Sequence, residues 1–159
     1  MLEYFPASNL DNGTAVGLVV VAGQYAALVN EWTDDHYGGS SKTVAVFDLQ
    51  TGSVVSGRGG ESAGCPDDGY GCSSGLDQLV LGPDAATAAH TFVINCAYAS
   101  TCTTVEQIVA DDSTGTNTLD SITTSGPYNP TPSSLSQLAL SGHTLTWSHA
   151  GGPRSAQLN

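Results

Sequence analysis

The feature that most constrains this chain is that it starts over. Gln78-Leu79-Val80-Leu81-Gly82 returns as Gln137-Leu138-Ala139-Leu140-Ser141-Gly142, at an offset of 59 residues. Val19-Val20-Val21-Ala22-Gly23 lies 119 residues before the last of these, twice that period. The turn-forming Gly52 and Gly115 are 63 apart. A period near 60 with several short strands per unit is the pattern of a repeated β-blade. A β-sandwich with chance similarity is the alternative.

The strand pattern fills in each unit. Apolar runs at Gly17–Ala22 and Tyr25–Trp32 are separated by Gly23-Gln24. From Thr43 to Leu49, Ala45, Phe47 and Leu49 alternate with Val44, Val46 and Asp48, the period of a strand. Gln50-Thr51-Gly52 turns the chain and Ser53-Val54-Val55 returns it, completing a four-stranded meander. A Gly-rich loop, 57–75, follows. The second unit has strands at Leu76–Leu81, His90–Tyr98, Thr103–Ala110 and Thr118–Ile122. A Pro-rich link, 126–133, leads to a third at Leu135–Leu140, His143–His149 and Arg154–Leu158. The expected fold is all-β, with antiparallel four-stranded propeller-like blades over units 14–57, 76–124 and 134–158. That makes about two and three-quarter repeats in a single domain and an incomplete ring. Leu2–Phe5 is a candidate last strand of a preceding blade.

Composition agrees and excludes several classes. The 159 residues include 19 Gly and 7 Pro, which imply many turns. With 3 Lys+Arg against 15 Asp+Glu, the net charge is −12, so nucleic acid and anionic membranes are poor partners. Charged residues make up only 11 %, and the apolar residues sit in discrete runs, which argues against a disordered chain. No apolar run reaches the roughly 18 residues of a membrane-spanning helix. Met1-Leu2-Glu3-Tyr4 lacks a basic signal-peptide start, which suggests a mature fragment or incomplete reading frame of an exported parent.

The cysteines form two close pairs, Cys65 with Cys72 and Cys96 with Cys102. Local disulfides suit an even count in turn-rich loops and an oxidising compartment, extracellular or cell-envelope. Free thiols are one alternative. A zinc site is another, although zinc pairs are usually two to four residues apart. Acidic turns at Asp34-Asp35-His36, Asp67-Asp68-Gly69 and Asp111-Asp112 supply the oxygens that calcium needs, and calcium is the one cofactor candidate. Asp34, Asp35, Asp67 and Asp68 are the candidate ligands. None of these turns matches a spaced calcium loop, and Asp and Gly are also what ordinary turns demand.

Trp32 and Trp147 are expected at equivalent second-strand positions of their units, either packing between blades or stacking on sugar rings. Tyr37, Tyr70 and Tyr128 lie in polar loops. With Trp32 they are the candidate contacts for carbohydrate or peptide, although a loop Tyr also simply pins its loop. His143 and His149 flank one strand about 20 Å apart, too far for one metal. No G-x-S-x-G elbow occurs.

Two segments carry a family resemblance. Val44-Ala45-Val46-Phe47-Asp48-Leu49-Gln50-Thr51-Gly52 and the ending from Leu138 to Ala156 resemble secreted β-propeller-like proteins of actinobacterial type, related to WD40-like and TolB-like repeats. The resemblance implies an extracytoplasmic propeller with more blades than this chain holds. Its motifs are structural and carry no functional residue across.

The leading functional expectation is a non-catalytic extracytoplasmic module that binds protein, peptide or glycan. Open blade edges would also allow a homo-oligomer. The rivals are a hydrolase or lyase with loop carboxylates, and a structural piece of a larger propeller.

Overall fold

The computed structural model describes residues 14–34, 39–59, 72–97, 101–129 and 132–159. These form eleven strands in three antiparallel sheets, with no helix among the described residues. Sheet A is the meander β1 (Thr14–Ala22), β2 (Tyr25–Asp34), β3 (Gly39–Asp48) and β4 (Val54–Gly59). Sheet B repeats it with β5 (Cys72–Leu81), β6 (Thr87–Ala97), β7 (Thr101–Asp112) and β8 (Gly115–Gly126). Sheet C has three strands, β9 (Leu135–Ser141), β10 (Thr144–His149) and β11 (Gly152–Gln157). The all-β class and the antiparallel sheets therefore match the sequence reading.

Several strands run further than apolar alternation indicated. The Gly-rich loop is shorter than 57–75, because Gly57 and Gly59 pair with Ala45 and Thr43, and Cys72 to Gly75 pair with Asn95 to Phe92. Glycine at position 75 makes room for a neighbour: a Cβ there would run into the Phe92 ring, which covers the bare backbone. β8 extends on both sides of Thr118–Ile122, since its Thr and Ser residues pair along the whole of β7. Thr suits a pleated strand without giving an apolar signal.

The turns follow local chemistry. Gly23, Gly52 and Gly142 close the β1–β2, β3–β4 and β9–β10 connections with positive φ, a conformation glycine adopts without penalty. At the β3–β4 turn the Asp48 carboxylate accepts from the backbone N–H of Gln50 at 2.7 Å. That bond is an Asx turn and fixes the reversal.

Each first strand carries a register irregularity: between Val16 and Val19 in β1, at Asp77 in β5, and opposite Trp147 in β9, where Gln137 has φ 59°. A bulge leaves one residue unpaired and re-aims its side chain. In β5 that residue is Asp77.

The three sheets pack face to face in sequence order. At the first seam Ala27, Val29, Val44 and Val46 of sheet A bury against Leu79, Leu81, Ala85 and Ala89 of sheet B. At the second, Ala88, Ile108 and Ala110 on the opposite side of sheet B bury against Leu135, Leu145, Trp147 and Leu158. Both seams follow one rule. The first strand of the following sheet, β5 or β9, crosses the first three strands of the preceding one. Both sides of each seam are apolar: Ala, Val and Ile from the preceding sheet meet Leu with Ala85 and Ala89 at the first seam and Leu with Trp147 at the second.

Candidate functional site

The titratable side chains that come together do so on the side of sheet B that faces sheet C. Cross-strand register lines up Gln78, His90, Ile108 and Asp120 on β5 to β8, with Glu106 beside them opposite Phe92. His90 is completely buried. Its Nδ1 lies 2.6 Å from Asp77 Oδ1, which the bulge aims at it, and its Nε2 lies 3.2 Å from Glu106 Oε2. An imidazole thus sits between two carboxylates.

Glu106, also fully buried, reaches past the histidine into sheet C. Its carboxylate accepts from the backbone N–H of Leu135 at 3.0 Å and of Ser134 at 3.3 Å. Gln78 makes a parallel tie by accepting from the N–H of Leu138 at 2.8 Å. These bonds satisfy main-chain donors from Ser134 into the middle of β9, of which that of Leu135 is buried.

A second cluster sits at the other end of the seam. Trp147 Nε1 donates to Asp120 Oδ2 at 2.7 Å, and His149 Nδ1 lies 2.8 Å from the same oxygen. Burial opposes ionisation of Asp120, but the Trp147 indole, the His149 ring and the Ser121 amide more than offset it. The carboxyl is held below its ordinary value of 3.8. Trp147 is therefore a seam residue whose ring is buried in the core and whose N–H has an ionised partner.

Two further ties sit at the periphery. His143 Nδ1 lies 3.3 Å from Asp84 Oδ2. Asp112 Oδ2 accepts from the backbone N–H of Asn159 at 2.8 Å and Oδ1 from that of Thr114 at 2.8 Å. The Asp111-Asp112 turn thus clamps the last residue of the chain. His143 and His149 serve different contacts, as their spacing indicated.

Chemically, these groups brace the seam. A general base must reach a substrate proton, and His90 and Glu106 are sealed from solvent. Among the described residues, an open hollow of about 580 Å³ lies beside sheet C, lined by Gln137, Thr146, Trp147, Ser148, Gly151, Pro153, Arg154 and Ser155.

Of the residues singled out from sequence, Tyr128 is exposed, and Cys96 and Cys102 form a disulfide at directly paired positions of β6 and β7. Cys72 is also disulfide-bonded. Cys65, Tyr37, Tyr70, Asp35, Asp67 and Asp68 lie outside the described residues, as do the side chains of Trp32 and Asp34. Among the described residues, no group of three or more His, Cys, Asp or Glu is arranged to hold a metal. Trp32 and Trp147 do not hold equivalent positions: Trp32 is the eighth residue of β2 and Trp147 the fourth of β10.

Sequence reasoning missed the Asp77–His90–Glu106 row. Cross-strand register would have been needed to find it, and Asp77 enters only through a bulge.

No family model matches the chain, and neither curated proteins nor solved structures yield a match. Among the described residues, no helix is long and apolar enough to cross a membrane.

Proposed function

We propose that the chain is a non-catalytic, extracytoplasmic binding or scaffold module built of propeller-like blades. The observation that carries this reading is the repeated docking rule at the two seams, with a first strand laid across three strands of the sheet before it. Blades that stack this way present their turns and loops together at the rims, where a rigid scaffold can display contact residues. The disulfides suit an oxidising compartment. The charge of −12 favours basic or divalent-cation partners.

The partner class is protein, peptide or glycan, contacted through Tyr128, Tyr37, Tyr70 and Trp32 of β2. Calcium at Asp34, Asp35, Asp67 and Asp68 is the accompanying cation. The test is a glycan and basic-peptide array probed with the intact chain, with and without calcium, beside a hydrolysis screen on glycan and ester substrates. The reading predicts saturable binding that weakens at least tenfold in Tyr128→Ala or Tyr70→Ala, with no turnover. Turnover abolished by Asp67→Asn or Asp68→Asn, with the fold intact, would contradict it.

A further inference from the structure

The hollow beside sheet C takes no part in either seam. Thr146 pairs with Ser155, and Ser148 with Pro153, across β10 and β11. Alternation puts all four on the side of the sheet away from Trp147, which is buried in the core shared with sheet B. They line the hollow together with Gln137 from β9 and Arg154 from β11. Its volume of about 580 Å³ falls among those of small-molecule sites and is enough for a sugar ring.

Two of these residues stand out. Gln137 is the repeat counterpart of Gln78, at the offset of 59 residues. The Gln78 amide oxygen is used inside the molecule, on the N–H of Leu138, whereas the Gln137 side chain has no hydrogen-bond partner among the described residues. Gln137 also holds φ 59° inside a strand. The other non-glycine residues with positive φ, Ala85 and Ala150, sit in connections between strands. Such backbone strain clusters where a ligand is held. Arg154 is exposed on β11, an edge strand, and has no carboxylate partner among the described residues. In a chain of net charge −12, it is a cation left unpaired beside an amide and three hydroxyls.

We propose that this hollow binds a hydroxylated ring bearing a carboxylate, a hexuronate, as the free sugar acid or as a residue of a glycan. The Arg154 guanidinium offers a planar fork of N–H donors that matches a carboxylate. The Gln137 amide and the hydroxyls of Thr146 and Ser155 both donate and accept, as sugar hydroxyls require. Pro153 supplies apolar surface for the C–H face of the ring, and Ser148, which is buried, forms the floor. An apolar ligand would strip water from Arg154 and Gln137 and return no bond. The charge of −12 repels anions at long range, so one carboxylate on a neutral ring or chain suits the site better than a polyanion. This inference rests on the binding reading of the chain, and it places the contact away from Tyr128.

The test is an amide NMR titration of the full chain with glucuronate, with glucose as the neutral counterpart, and with a xylo-oligosaccharide that carries one glucuronate. The expected result is saturable shifts at Gln137, Thr146, Ser148, Arg154 and Ser155, with glucuronate bound about tenfold tighter than glucose. Arg154→Gln should remove that preference and leave glucose binding unchanged. Gln137→Gly should weaken both sugars while keeping or raising Tm, because glycine adopts φ 59° freely. Gln137 and Arg154 are exposed, so neither substitution disturbs the core. Tighter binding of the oligosaccharide assigns the ligand to a glycan, and equal binding assigns it to the free sugar acid. No saturable shift in the hollow, or a glucuronate preference that survives Arg154→Gln, overturns the proposal. So does saturable binding of peptides there in place of sugars. Sugar binding lost in Tyr128→Ala, with the hollow signals silent, overturns this site and leaves the binding reading standing. Turnover of the oligosaccharide with the Arg154 preference intact upholds this site and overturns the non-catalytic reading.

Discussion

The two seams share a geometry and differ in what holds them. The A–B seam has a core of Ala, Val and Leu side chains, and it would tolerate small slips because apolar contact is non-directional. The B–C seam adds directed bonds: Gln78 and Glu106 grip the backbone of β9, and Asp120 grips Trp147 and His149. The difference tracks the size of the docked sheet. Sheet A contributes four strands of up to 10 residues, whereas sheet C contributes three of 6 or 7. A small sheet buries less apolar surface, and directed bonds offset part of that deficit and fix its register.

The largest expected effect comes from removing the central tie. Glu106→Ala leaves the N–H groups of Ser134 and Leu135 without their acceptor and the His90 ring with Asp77 alone. It should cost about 3–5 kcal/mol in urea denaturation, in the range for breaking a buried charged network. Glu106→Gln keeps the shape and should cost less. On the apolar seam, Val46→Ala removes two buried methyls and should cost about 2 kcal/mol, with no dependence on pH between neutral and mildly acid conditions. If Val46→Ala proved the costlier of the two, the contrast between the seams would be reversed.

Acid should separate the seams more finely. Asp120 has a folded pKa below its ordinary 3.8, so its contribution is present above that value and is lost as pH falls through the folded value. Amide NMR spectra collected downward from neutral pH should show β8 and β10 signals shifting below pH 3.8 while those of β2 and β3 hold. Asp120→Asn should remove that transition and cost about 1–2 kcal/mol at neutral pH. An unchanged acid transition in this variant would assign it to another carboxylate.

Much of the scaffold was legible in the sequence because repetition and turn chemistry are local signals. The Leu79/Leu138 offset identified first strands, and Gly23, Gly52 and Gly142 marked reversals that do require positive φ. The Thr-rich ends of β8 and the paired glycines of β4 and β5 gave no apolar alternation, so those strands read as shorter than they are. The seam chemistry was hidden for a different reason. Glu106 bonds to main-chain N–H groups 28 and 29 positions away, and a backbone donor leaves no trace in residue identity. Trp147 could be read as packing, but its Asp120 partner, 27 positions earlier on another sheet, could not.

The central claim is that directed bonds, more than apolar area, hold sheet C in place. Hydrogen exchange by mass spectrometry on Glu106→Ala tests it most directly. The account predicts faster exchange across β9, β10 and β11 with protection in β1 to β4 unchanged. Equal loss of protection in all three sheets, or none in sheet C, would contradict it.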